Sequence, residues 1–278
     1  MGRKRAHETS NSPVGTYEIS TGQAVVEPDP YAAGGYILNI NGVPSSHIMP
    51  GEPRRLEFEY MRWIAAAIEH LSPLSNARIT HLGGGGCSLA RYFSATWPDS
   101  HNNVVEYDAK LAELVRELFD IPKAPRVKIR AGEARAVTDG FHEASRDIII
   151  RDVFAQDTTP QPLTTVEFFT AAAQSLSPQG LYVANCGDHS DLRGAKAEVA
   201  GMLKVFNHVA AVADPAMFKG RRYGNIILLG SMTELPATHP QLSSALLGGG
   251  VPAQYKSDDW AQKFAAGAVA NHDPQTRI

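Results

Sequence analysis

Four groups of residues in this chain could act together on one small ligand: Gly83-Gly84-Gly85-Gly86, Glu106, Gly132-Glu133-Ala134 and Asp152. The glycines interrupt an apolar run, Ile79-Thr80-His81-Leu82, that resumes at Cys87-Ser88-Leu89 with helical spacing, which reads as strand, turn and helix. Glycines at such a turn let the backbone approach a ligand, and the first N–H groups of the following helix face it. Glu106, in Asn103-Val104-Val105-Glu106-Tyr107-Asp108, follows about 20 residues on, where a second strand ends and a carboxylate can accept both hydroxyls of an adenosine ribose. Glu133, after a third strand and beside Ala134, can accept from an adenine amine. Asp152 ends a fourth strand and faces the reactive end of such a ligand. One acid after a strand is ordinarily a solvated loop residue. Four groups in register at four strand ends define a nucleoside site.

The elements that position them follow from periodicity. Short apolar stretches from Gly15 to Ile48, separated by Pro, Gly and Asn turns, predict a small β-sheet. Leu56 to Leu71 carries apolar residues at helical spacing. An alternation follows: strand 77–83, helix 88–96, strand 103–107, helix 109–119, strands 126–131 and 147–152, helix 164–177, strand 180–185 and helix 192–205. Such alternation predicts a parallel sheet with helices on both faces. The helix from 164 starts with a capping-box pattern, Thr164-Thr165-Val166-Glu167, and stops at Ser177-Pro178-Gln179-Gly180. Strands at 208–213 and 225–230 complete a doubly wound, Rossmann-like α/β sheet of methyltransferase type. The expected organisation is a polar tail over 1–12, a β domain over 13–52, the nucleoside-binding domain over 53–232 and a C-terminal extension over 233–278, with one weak helix near 258–268, that packs loosely or mediates contacts.

Composition narrows the function. With 278 residues and 43% hydrophobic content, the chain can bury one substantial core. A net charge of −3 and the lack of a basic stripe argue against nucleic acid as a partner. Cys87 and Cys186 have no metal-ligand spacing, so neither a metal nor a disulfide framework is expected. The polar start of the chain and the absence of a long apolar run predict neither a signal peptide nor a membrane span. A cytoplasmic location is the default.

Together these motifs resemble the spermidine synthase family of aminopropyltransferases over about two thirds of the chain. Leu82-Gly83-Gly84-Gly85-Gly86 is similar to its Gly-Gly-Gly-Asp-Gly-Gly loop, Val105-Glu106-Tyr107-Asp108 to its Val-Glu-Ile-Asp, and Gly132-Glu133-Ala134 to its Gly-Asp-Ala. Asp147-Ile148-Ile149-Ile150-Arg151-Asp152 resembles the strand ending in its catalytic aspartate, and Asn39-Ile40-Asn41-Gly42-Val43 its N-terminal hairpin. The resemblance implies a homodimer in which decarboxylated S-adenosylmethionine gives its aminopropyl group to an amine. Asp152 would be the base, Glu106 would hold the ribose, Glu133 the adenine, and Ser45, Ser46 and Ala155 would border the cleft.

The departures lie on the amine side. Gly86 stands in place of the loop aspartate that, in the family, holds the donor ammonium. Ala155 stands where the family keeps a second aspartate for the diamine, with Asp157 two residues on; Leu56 and Phe58 replace its Tyr-x-Glu, and Ser45 its glutamine. A buried ammonium needs a carboxylate partner, so putrescine is not the expected acceptor; a small-molecule amine or another nucleophile is. Gly86 also removes one repulsion against intact S-adenosylmethionine, which makes methyl transfer the second reading and a non-catalytic nucleoside-binding relative the third. A nicotinamide dehydrogenase is disfavoured because Ser88 or Leu89 stands where its third glycine belongs. Cys87 is read as a packing residue, Tyr223 as core, His189 as a solvated loop residue, and His47 as a weak candidate for the cleft border.

Overall fold

The computed structural model describes residues 12–155 and 158–274, so Asp157 and all of the expected polar tail except Ser12 lie outside the described residues. Four strands, β1 (Gly15–Ile19), β2 (Gly22–Pro28), β3 (Tyr36–Ile40) and β4 (Val43–Ile48), form an antiparallel meander in chain order. The last hairpin turns on Asn41 and Gly42, at φ 51° and 81°, the two left-handed residues that a tight turn between twisted strands needs. The inward residues Ile19, Ala24, Val26, Leu38 and Ile48 share one core with Cys87, Ala90, Leu111 and Val115. The small sheet is thereby fixed against the helices that carry the glycine loop.

Helix α1 (Glu59–Leu71) buries Met61, Ile64, Ala65 and Ile68 at helical spacing. Beyond it come β5 (Arg78–Leu82), α2 (Ser88–Thr96), β6 (His101–Glu106), α3 (Ala109–Leu118), β7 (Val127–Ala131), α4 (Ala134–Asp139) and β8 (Arg146–Arg151). Then follow α5 (Val166–Ser175), β9 (Leu176–Asp188), α6 (Arg193–Met202), β10 (His208–Ala213), α7 (Pro215–Phe218) and β11 (Gly224–Ser231). The chain closes with α8 (Pro240–Leu247), β12 (Gln254–Lys256) and α9 (Asp258–Phe264). No described helix is long and apolar enough to cross a membrane.

The large sheet has the order β12-β10-β11-β9-β8-β5-β6-β7. It is mixed rather than wholly parallel: β9, β8, β5, β6 and β7 are parallel neighbours, whereas β11 pairs antiparallel with β9, and β10 with β11 and β12. Both faces are covered, as β9 shows by sending Tyr182, Ala184 and Cys186 into one core and Leu181 and Val183 into the other. Helix α5 ends at Ser175 and β9 begins at once, earlier than the Pro178 and Gly180 punctuation suggests. The cap of α5 is Thr165, whose hydroxyl accepts the Phe168 N–H at 3.2 Å; Glu167 instead accepts the Asp273 N–H at 2.9 Å.

The C-terminal extension is not loosely packed. Leu235, Leu242, Leu246 and Ala253 enter one core, Ala261 and Ala265 the other, and β12 lengthens the sheet. Its end is clasped to the sheet's helices: Arg135 forks onto Asp273 at 2.8 and 2.7 Å, and the Asn271 carbonyl accepts the Val166 N–H at 2.9 Å.

At the strand ends opposite the glycine loop, Asp147 ties β8 to β5, accepting the Arg78 N–H at 2.8 Å and two guanidinium N–H groups at 2.9 and 2.7 Å. The Arg78 hydrogen bonds hold the Asp147 carboxyl at about 2, below its ordinary 3.8. A depressed carboxylate contributes stability that is complete above 3.8 and is lost as pH falls toward 2. Asp147→Asn is therefore expected to lower the melting temperature at neutral pH and to flatten its fall across that acid window, measured by calorimetry at several pH values.

Candidate functional site

The strand register lines up the ends predicted from sequence. Leu82 faces Val105 on β6 and Arg151 on β8; Glu106 faces Ala131 on β7, and Arg151 faces Ala184 on β9. The chain enters at β5, runs outward to β7 and returns to β8 on the other side of β5, which makes the β5/β8 border the switch point where open α/β sheets bind ligands. A cleft of about 750 Å³ opens there. Ser45, Ser46, Gly83, Gly84, Gly85, Glu106, Glu133, Ala134, Asp152 and Ala155 line it, and Gly86 does not.

Gly83 is where the loop most needs a glycine. Its φ is +91°, and a Cβ would lie 2.1 Å from the Asp152 carbonyl oxygen. Gly84 and Gly85 donate their N–H groups to Oε2 of Glu106 at 3.0 and 3.1 Å, while Oε1 accepts the Asp108 N–H at 3.0 Å. The Gly84 and Gly85 amides are thus taken by Glu106. Three of the roughly four acceptor positions of that carboxylate are filled, leaving one for a ribose hydroxyl rather than two. Gly86 is withdrawn beneath the small sheet: its N–H donates to Ser46 Oγ at 2.8 Å, and a Cβ there would meet Ile48 Cδ1 at 2.8 Å and Ser46 Cβ at 2.9 Å. The hairpin fills the space that a side chain at position 86 would need.

Glu133 caps α4, a helix absent from the expected element order, by accepting the Arg135 and Ala136 N–H groups at 2.8 and 2.7 Å. Each of its oxygens keeps a second acceptor position, and Glu133 lines the cleft. Asp108 caps α3 and accepts the Thr21 N–H at 2.6 Å, binding the small sheet to the same edge. Desolvation opposes its ionisation, but its backbone N–H bonds prevail and hold it at about 2.

Asp152 is held by two side chains that sequence reasoning missed. The Tyr60 hydroxyl of α1 donates to Oδ2 at 3.1 Å, and the Asn185 amide of β9 donates to Oδ1 at 2.9 Å. Withdrawal from water pushes the Asp152 carboxyl up, against the opposing effects of Asn185, Tyr60 and Arg151. Desolvation and the nearby carboxylate push the Tyr60 hydroxyl well above its ordinary range, so it stays a donor. The signal for Asn185 was a lone amide ending the apolar run Leu181-Tyr182-Val183-Ala184; Tyr60 lies 92 residues from its partner and left none.

Other expectations change. His47 is buried 3.0 Å from Asp29 and does not border the cleft. Tyr223 is not core: it is 47% exposed at the cleft, with its ring 5.0 Å from that of His189. Cys87 is a buried residue at φ 61°, and burial pushes its thiol up to about 12, overriding any help from the helix end. Glu106, Asp108, Glu133 and Asp152 all line the cleft, and no Lys or Arg is among the described lining residues. Four carboxylates focus a negative potential into the space and favour a cationic ligand. Among the described residues no cluster of His, Cys, Asp and Glu could hold a metal ion.

The fold and this acidic strand-end cleft define a doubly wound α/β protein with a β appendage. No family model matches the chain. A probable spermidine synthase from Corynebacterium glutamicum is 58% identical across 95% of this chain and 98% of its own, with a TM-score of 0.91. The polyamine aminopropyltransferase of Vibrio vulnificus is 28% identical over 187 residues, 66% of this chain, and the match spans 60% of that relative's length. Spermidine synthase from Thermotoga maritima shares the fold, at 16% identity and a TM-score of 0.64, over 91% of this chain and 87% of its own. The chain belongs to the spermidine synthase family.

Proposed function

We propose that this protein transfers an aminopropyl group from decarboxylated S-adenosylmethionine to an amine. The observation that carries the reading is the cleft's charge: four carboxylates, and no Lys or Arg among its described lining residues. A sulfonium donor with a free ammonium is cationic throughout and suits that field. The carboxylate of intact S-adenosylmethionine would meet repulsion with no cation to offset its desolvation.

In the proposed reaction, Glu106 receives a ribose hydroxyl and Glu133 the adenine amine. Asp152 orients the acceptor and takes its proton. The amine nitrogen forms a bond to the methylene carbon beside sulfur, the carbon–sulfur bond breaks, and its electron pair converts the sulfonium into the neutral thioether of methylthioadenosine. The donor is already activated, so orientation supplies most of the acceleration.

Tyr60 tunes the base. Tyr60→Phe removes a hydrogen bond that favours ionised Asp152, so the acid limb of kcat/KM should move to higher pH. At neutral pH the loss should be about tenfold, the scale of one hydrogen bond to a charged group; a pH–rate profile of both proteins checks it. Calorimetric titration with decarboxylated and intact S-adenosylmethionine tests the donor. The decarboxylated form should bind more tightly; preference for the intact form would replace this reading with methyl transfer.

A further inference from the structure

Beside Asp152 lies an ion pair that the proposed chemistry does not use. Arg151 is fully buried, and its guanidinium sits 2.8 Å from the carboxylate of Glu198 on α6, which is buried as well. Desolvating two charges offsets much of their attraction, so a buried pair is weak support for stability. Arg151 directs further donors at two backbone carbonyls: Nη1 at that of Leu163 and Nη2 at that of Asn185, each at 3.1 Å. Both residues line the cleft that holds the base. Asn185 also donates its amide to Asp152.

We propose that the Arg151–Glu198 pair is the positioning device for the base: Arg151 fixes the Asn185 and Leu163 backbones around Asp152, and Glu198 offsets part of the Arg151 charge beside that carboxylate. The groups facing the pair are Tyr182 and Cys186 of β9, with Asp188 further along the strand; those facing Asp152 are Tyr60 of α1, Asn185 of β9 and Arg151 itself. Burial pushes the Tyr182 hydroxyl and the Cys186 thiol up, so both are neutral at working pH. The carboxyl in contact with Arg151 is that of Glu198, which burial pushes up and the Arg151 charge and hydrogen bond draw back toward the ionised form. Without it, more of the Arg151 charge would act on Asp152, favour its ionised form further and weaken it as a proton acceptor.

Glu198→Gln keeps the shape of the pair and leaves Arg151 uncompensated. The titration of Asp152, followed by the carbon resonance of its carboxyl group and assigned with Asp152→Asn, should then move down by about one pH unit or more. A Glu198 charge that does not screen Arg151 from Asp152 would leave it in place. The inference rests on the aminopropyl-transfer reading only for calling Asp152 the base, and this titration needs no turnover. An inactive wild-type protein would therefore refute that reading while the titration still decides the role of the pair. Arg151→Met with Glu198→Leu removes both charges at similar volume, an exchange that buried pairs often tolerate. That double variant should fold by circular dichroism, keep its donor affinity and lose about tenfold or more in kcat through a loosened Asn185. An unmoved Asp152 titration in Glu198→Gln, or wild-type turnover in the double variant, would overturn the proposal. Should Glu198→Gln fail to fold, the double variant decides alone.

Discussion

Asp152→Asn is expected to lower kcat by about 10²- to 10⁴-fold, the usual contribution of a positioned general base, while leaving affinity for the adenosyl donor roughly unchanged. The nucleoside half of that donor is assigned to Glu106 and Glu133, on other strand ends. An asparagine keeps one oxygen to accept the Asn185 amide, and its Nδ2 can donate to the Tyr60 hydroxyl oxygen, so the local packing survives. The wild-type enzyme should show an acid limb in kcat/KM above 3.8, the ordinary value for an aspartate, because burial raises this one. The sign follows from the role: a base is active only when deprotonated, so activity rises with pH through that limb. The variant should have lost it. Steady-state rates across pH, with calorimetric donor binding as control, check both halves.

Gly83→Ala has the second large effect, through the backbone. At φ +91° an alanine pays the left-handed penalty, and its methyl would lie 2.1 Å from the Asp152 carbonyl oxygen and 2.8 Å from the carbonyl carbon. Neither neighbour is a flexible side-chain end that could swing aside. The Asp152 N–H is bonded to the Leu82 carbonyl at 2.8 Å, so relief must part β5 from β8 at the switch point. The combined cost is about 3 kcal/mol or more from overpacking and backbone strain. Thermal unfolding should show a lower melting temperature, and the folded fraction should lose donor binding and turnover together. A Gly83→Ala protein with wild-type stability and activity would contradict the close strand-end geometry described here.

What could be read from the sequence, and what could not, divides by the reach of the signal. The glycine loop, Glu106, Glu133 and Asp152 each follow a recognisable strand, so local periodicity placed them, and parallel pairing then brought them to one edge. Gly86 looked like its neighbours because nothing local reveals Ser46 and Ile48, some 40 residues earlier, packing over it. Helix α4 was hidden because Glu133 is an uncommon cap and its motif suggested a ligand role. Tyr60 and Asn185 depend on a partner 92 and 33 residues away. The extension after residue 232 looked loose because its apolar residues are interspersed with Gly and Pro; only the assembled sheet shows that Leu242 and Leu246 have a core to enter. Antiparallel β11 likewise carries no mark of its direction.

The most direct test of the account is product analysis. Incubated with decarboxylated S-adenosylmethionine and a panel of primary amines, the protein should release methylthioadenosine together with an aminopropylated amine, both identified by mass spectrometry. Finding no methylthioadenosine with any amine, or adenosylhomocysteine formed from intact S-adenosylmethionine instead, would contradict it.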